Sequence, residues 1–235
     1  MADEMRQCTE AQFLKDVSGH QLRVIRDDGK HRHVRFEKPG SSCMHFELIT
    51  WPGYLAYVGD MGSYVFSRLP DMFQFFRMGD GDLNHNERGL SINPSYWAEK
   101  IEAADRCAGI KKFSEDEFVR EVKEYAAEWM RSHRSETTKD ERRELSEAIE
   151  FEVLGAEMDG GGYRKSCAAY DFRHHVNDTV GDFEFQDFFE RDFSEWTFRF
   201  LWCCYALAWG VQQYDASKVT ETFHQPTETN EQRKG

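Results

Sequence analysis

Leu22-Arg-Val-Ile-Arg-Asp-Asp-Gly-Lys-His-Arg-His-Val-Arg-Phe36 decides the first half of the fold. Two β-rich runs flank Asp27-Asp28-Gly29, an Asp-Gly turn signal, so the stretch reads as a hairpin. Pro39-Gly40 ends the returning run. Further along, Cys43 to Thr50 is a third strand candidate, turned by Trp51-Pro52-Gly53. Tyr54-Leu-Ala-Tyr-Val58 is a fourth, closed by Gly59-Asp-Met-Gly62, and Ser63-Tyr-Val-Phe66 a fifth. Short runs joined by short turns predict an antiparallel meander, because parallel pairing would need long crossovers. Upstream, Thr9 to Val17 forms a short amphipathic piece that leads in through Gly19.

Past Arg68 the signals become helical. Pro70 opens a short helix with Leu69, Met72, Phe73 and Phe76 on its apolar side. A polar loop from Gly79 to Gly89 follows, and Asn93 caps the next helix, with Pro94 in its first turn and Ile92 positioned to staple onto Trp97. Ser114 and Glu117 have capping-box spacing, Phe113 can staple onto Phe118, and Phe118, Val122, Tyr125, Ala126 and Trp129 recur at helical spacing. Thr138 and Glu141 start another helix, with Leu145, Ala148, Ile149 and Val153 inward, and Gly160-Gly161-Gly162 breaks the chain. From Ser194 to Tyr214 runs a helix that is apolar almost all round between Trp196 and Trp209, as expected of a central core helix or a tight subunit interface.

The expected fold is therefore one α+β domain over residues 1–216: an N-terminal antiparallel β-meander (sheet-rich 20–68) packed against a C-terminal helical bundle (69–216) with a central apolar helix. Residues 217–235 are polar and aperiodic and are expected to be a disordered tail. The 235 residues, 40% of them apolar and 14% aromatic, suffice for a substantial core despite 31% charged residues. The sequence has no run of 18 apolar residues, so no membrane span is expected, and its N-terminus lacks the basic and apolar regions of a signal peptide. Six cysteines without a CxxC pair suit reduced thiols in a cytosol, Cys203 and Cys204 being core residues.

Charge is uneven. The net charge is −13, with 43 acidic against 30 basic residues. His20 to Gly40 nevertheless holds six basic and three acidic residues, and Phe113 to Glu195 holds 23 acids and 11 bases. The acidic surface serves solubility or presents a phosphate-like potential to a basic cleft. A chain this acidic repels phosphate, so nucleic acid is not an expected partner; only the basic hairpin 21–38 argues for a nucleic-acid-binding accessory role.

Catalytic signals are sparse. His31 and His33 would share a strand face, with His45 nearby, as a metal site or as an exposed basic hairpin. Asp80, Asp82, Asn84 and Asn86 resemble the front of a calcium loop, but His85 stands at the turn glycine and Ser91 at the bidentate Glu. Asp171 and His175, on an expected helix, would share a face and could form a carboxylate–imidazole pair. GxGxxG, P-loop, GxSxG and HExxH motifs are absent from the sequence. No catalytic residue, metal or cofactor is assigned; a small metal- or histidine-dependent hydrolase is the enzymatic alternative.

Three segments carry a resemblance. They are His31 to Arg68; Leu90-Ser-Ile-Asn-Pro-Ser-Tyr-Trp-Ala-Glu-Lys100; and Phe183-Glu-Phe-Gln-Asp-Phe-Phe-Glu190, continuing to Phe200-Leu-Trp-Cys-Cys-Tyr-Ala-Leu-Ala-Trp-Gly210. Over residues 20–215 the chain is similar to a largely uncharacterised family of small proteins of tailed phages and prophages of Gram-negative bacteria. It also resembles the phage anti-Gabija proteins, which oligomerise around a host nuclease–helicase defence complex and block its access to DNA. The resemblance implies a homo-oligomeric inhibitor that binds a bacterial defence complex stoichiometrically in the host cytoplasm; no binding residue is carried over from it. From residue chemistry alone, the candidate partner contacts are Arg32, Arg35, Trp51, Tyr54, Tyr57 and Tyr64, since interface anchors are enriched in Tyr, Trp and Arg.

Overall fold

The computed structural model describes residues 7–77, 89–106, 109–157 and 162–223. The calcium-loop reading at Asp80 to Asn86, Gly160 and Gly161, Cys107 and residues 224–235 lie outside the described residues. Two compact units emerge: Met1–Ile110 with Trp196–Gly235, and Lys111–Glu195. Where the sequence suggests one domain over 1–216, the buried side chains gather into two separate apolar clusters, and each organises its own unit.

The first unit opens with α1 (Glu10–Asp16), capped by Thr9, whose hydroxyl accepts from the Gln12 amide at 3.3 Å. Strands β1 (Gln21–Asp28), β2 (His31–Glu37), β3 (Phe46–Trp51), β4 (Tyr54–Gly59) and β5 (Gly62–Ser67) follow. Then come α2 (Met72–Arg77), α3 (Pro94–Ala98) and β6 (Ile101–Ala104). The six strands form one sheet in chain order, with every neighbouring pair antiparallel. The turns obey their chemistry: Gly53 follows Pro52 with φ +88°, a left-handed conformation that a side chain would strain. Asn93 caps α3 as expected, accepting from the Tyr96 amide at 3.1 Å.

Period-two alternation sends Val34, Phe36, Phe46, Leu48, Leu55, Tyr57, Tyr64 and Phe66 to one face, and all eight are fully buried. Helix α7 (Phe198–Phe223) covers that face. The Trp202 ring meets Phe46 edge-on at 5.7 Å, and Trp209 lies 5.3 Å from Phe36. Gly210 lets the helix sit close: a Cβ there would lie 3.0 Å from Leu48 Cδ1 and 3.2 Å from Phe36 Cε2. Each large apolar side chain withdrawn from water contributes about 1.5–3 kcal/mol before entropy is charged against it. This seam dominates the unit's stability.

Helix α7 runs nine residues beyond the expected end at Tyr214, through what looked like a disordered tail from Ser217. The polar residues there are anchored. Tyr214 Oη donates to both Asp27 oxygens at 2.9 Å, Asp215 takes two bonds of 2.6 Å from Arg77, and Lys218 Nζ lies 2.8 Å from Asp27.

The second unit contains β7 (Lys111–Phe113), α4 (Glu115–Ser132), α5 (Lys139–Ala148) running into a π-helical turn (Ile149–Leu154), α6 (Tyr163–Asp171), β8 (Arg173–Asn177), β9 (Gly181–Glu184), a 3-10 turn (Phe188–Glu190) and all but the last residue of β10 (Ser194–Trp196). The Ser114 cap, the Phe113–Phe118 staple (5.7 Å) and the reciprocal Thr138–Glu141 capping box are all present. Phe183, Phe185, Phe188 and Phe193 fold back onto Phe118 and Tyr125 of α4. Residues 173–177 form a strand where the sequence suggested a helix: Phe172 leaves the helical region at ψ 125°, and β8 zips antiparallel onto β9. The architecture is α+β. No helix among the described residues is long and apolar enough to cross a membrane.

Candidate interaction surface

The alternation that buries one face of the six-stranded sheet defines the other. Across the strands, the outward rows read Arg23–Arg35–Glu47–Val58–Ser63 and Arg26–His33–Ile49–Ala56–Val65–Ala103. Trp51 pairs with Tyr54, which pairs in turn with Ser67. The β1–β2 side is charged and the β3–β5 side largely apolar. Trp51, Tyr54 and Val58 are 37, 38 and 43% exposed, while Ile49, Ala56 and Val65 are half-buried. A sheet face turned to water usually carries polar residues. This one exposes a contiguous apolar strip, the kind of surface that marks an interaction site.

Trp51 and Tyr54 are its most prominent members. They flank the Pro52-Gly53 turn, and their rings stack at 5.4 Å with a 15° interplanar angle. The tight turn holds both rings on one face, so little side-chain freedom remains to be lost on contact.

The charged side is internally compensated. Arg35 donates from Nε to Glu37 at 2.7 Å and from a terminal nitrogen to Glu47 at 2.5 Å, and His33 Nε2 bonds the other Glu47 oxygen. Partial burial disfavours the Glu47 anion, but the hydrogen bonds from His33 and Arg35 outweigh it and hold its carboxyl below the usual carboxylate value.

The six candidate contacts thus separate into three groups. Trp51 and Tyr54 lie exposed and together. Arg35 is on the same face, engaged by two carboxylates. Arg32, Tyr57 and Tyr64 have the opposite parity and are corrected from surface contacts to interior residues. Tyr57 and Tyr64 are fully buried against the core, and the Arg32 side chain is 11% exposed and held by Asp71. The signal that sorts them was available: Tyr57 is two residues from Leu55, Tyr64 two from Phe66, and Arg32 two from Val34, all inward positions.

The histidine candidates are dispersed. His33 bonds Glu47, whereas His45 lies 3.1 Å from Asp60 and donates from Nδ1 to the Ser42 carbonyl at 2.7 Å. His175, on β8, pairs with Asp182 at 2.7 Å instead of Asp171. Among the described residues no group of three or more His, Cys, Asp or Glu side chains is placed to hold a metal ion. Cys203 and Cys204 are fully buried, and burial pushes both thiols well above their ordinary pKa, which disfavours a reactive thiolate.

No protein-family model, curated protein or solved structure matches the chain.

Proposed function

We propose that this protein is a phage-encoded counter-defence protein that inhibits a bacterial nuclease–helicase defence complex of the Gabija type by stoichiometric binding. It acts in the host cytoplasm, as a homo-oligomer, and carries no catalytic centre. The observation that supports a binding role most is the Trp51–Tyr54 stack on the open apolar face of the sheet. Exposed aromatic side chains held in place at one end of such a strip are the kind of anchor that a protein partner buries. The resemblance to the phage anti-Gabija proteins, which is tied to no particular residues, supplies the partner class. The carboxylates at Arg32 and Arg35 weigh against nucleic acid, since guanidinium groups already engaged make poor phosphate ligands.

The test is co-purification with a Gabija-type complex from a host that carries one, alongside phage plating on that host. Wild-type protein is expected to co-purify in a fixed ratio and restore plaque formation. The Trp51→Glu, Tyr54→Glu double variant is expected to fold and to lose both. Failure to recover any defence component, with no rescue of phage growth, removes the reading.

A further inference from the structure

A second surface lies wholly within the Lys111–Glu195 unit. Along α4, Lys123, Ala126, Ala127 and Met130 recur at i, i+3, i+4 and i+7, which places them on one face of the helix. With Ile149 and Leu154 of the π-helical turn they line a groove. The alanines keep it open by having no side chain beyond Cβ. Next to it, Phe151 projects from the π-helical turn with 83% of its surface exposed, over a depression shared with Ser146, Glu147 and Glu150. π-helical turns interrupt regular hydrogen bonding and recur at functional sites. Ile149 and Val153, four residues apart, stay buried on one face while Phe151 between them points to solvent.

The charge beside this groove is predominantly acidic. From Glu144 to Glu157 the chain has five glutamates and no lysine or arginine, and all five are exposed. Three cations from outside this stretch meet them: Lys123 Nζ lies 2.9 Å from Glu150, Arg143 Nε 3.7 Å from Glu147, and Arg164 3.0 Å from Glu157. Every partner in these bridges is more than half exposed, so they contribute little and can be exchanged. An apolar trough beside an acidic wall, with a free aromatic at its rim, matches the requirements of one recognition mode: an amphipathic helix whose apolar stripe enters the groove while its flanking Lys or Arg residues meet the glutamates.

We infer that the groove between α4 and the π-helical turn docks a basic amphipathic helix of a partner protein, with Phe151 packing against its apolar stripe. This surface is separate from the sheet face and does not depend on the counter-defence reading.

The test uses the full chain and a fluorescein-labelled leucine/lysine helix of about fourteen residues, four turns long. Two controls accompany it: a peptide of identical composition shuffled to destroy the apolar stripe, and a leucine/glutamate helix. Fluorescence anisotropy at about 0.15 M salt, where remote surface charges are screened, is expected to show saturable one-to-one binding of the first peptide only. Ala127 is exposed, so Ala127→Arg can fill and charge the groove without disturbing the core. It is expected to weaken binding about tenfold or more, and Phe151→Ser several-fold, with unchanged circular dichroism. Equal binding of the shuffled peptide, or wild-type affinity in Ala127→Arg, overturns the inference. So does a concentration-dependent dimer that Ala127→Arg abolishes while the peptide fails to bind, because the groove would then be a contact between copies of this chain.

Discussion

Arg32 and Asp71 face each other in a two-bond ion pair, 2.8 and 3.1 Å between guanidinium nitrogens and carboxylate oxygens, with side chains 11 and 21% exposed. The guanidinium also lies over the rings of Phe73 (5.0 Å) and Tyr214 (5.7 Å). One arginine thus links β2, α2 and α7, which are remote in sequence. Burial disfavours the Asp71 anion, yet the bonds from Arg32 prevail and lower its pKa. The arginine that first suggested phosphate or partner binding is a tie within the fold.

Removing it leaves Asp71 largely buried without its counter-charge. Arg32→Met is expected to cost about 2–3 kcal/mol at neutral pH, read from urea unfolding, because breaking one side of a buried pair is more costly than the pair is stabilising. The sign of the pH dependence follows from the lowered carboxyl. The pair's contribution is complete above the unfolded aspartate value of about 3.9 and is lost as pH falls through the lower folded value. The difference between wild type and Arg32→Met should therefore shrink on acidification below about pH 4. A difference that stays constant to the acid limit of folding would refute this role.

Tyr57 and Tyr64 are equally buried on the same sheet face and differ in one bond. Tyr64 Oη donates to the Gly109 carbonyl at 3.1 Å, whereas buried Tyr57 Oη has no hydrogen-bond partner among the described residues. Tyr64→Phe is expected to destabilise by about 1 kcal/mol, the usual net value of a hydrogen bond. Tyr57→Phe relieves an unmet desolvation cost and is expected to raise the unfolding midpoint slightly or leave it unchanged. Equal losses in the two variants would count against the difference.

How much of this was legible in the sequence depends on how local the signal is. Caps are local: Asn93, Ser114 and Thr138 each bond an amide three residues on, and all three stood out at once. The hairpin turns were equally plain. Strand β6 was not, because Ile101-Glu-Ala-Ala104 has good helix formers and becomes a strand only by pairing with β5, some 35 residues earlier. The end of α7 was hidden for the same reason, since Asp215 reads as lying past the helix end and Lys218 as a tail residue until Arg77 and Asp27 are brought to them. Half of the interaction surface lay in the alternation already used to find the strands. The groove beside Phe151 did not, because it forms only where α4 and the π-helical turn, separate in sequence, are brought side by side.

The exposed and buried aromatics should respond in opposite ways to truncation. Trp51→Ala and Tyr54→Ala remove side chains that are more than one-third exposed and leave no internal cavity, so each is expected to cost less than about 1 kcal/mol. Tyr57→Ala opens a void in the core and is expected to cost about 3–5 kcal/mol. Thermal unfolding of the three variants would check the ranking. A Trp51→Ala loss as large as that of Tyr57→Ala would mean that Trp51 holds the sheet together and is not available for contact.

Gly210 offers the sharpest test of the seam between helix and sheet. In a solvated helix, replacing glycine by alanine stabilises by about 0.8–1 kcal/mol through backbone entropy. At Gly210 the added methyl would lie 3.0, 3.2 and 3.3 Å from atoms of Leu48, Phe36 and Phe46, all of them fixed in a packed core. Crowding of this kind costs about 1–3 kcal/mol, because the neighbours must leave their rotamers or the helix must lift off the sheet. Steric cost outweighs propensity, and Gly210→Ala is expected to be net destabilising by about 1 kcal/mol in urea unfolding. The exposed helix position Ala216→Gly supplies the control for propensity alone, with an expected loss of about 0.8–1 kcal/mol. If Gly210→Ala proved stabilising, α7 could not approach β2 and β3 as closely as these distances require.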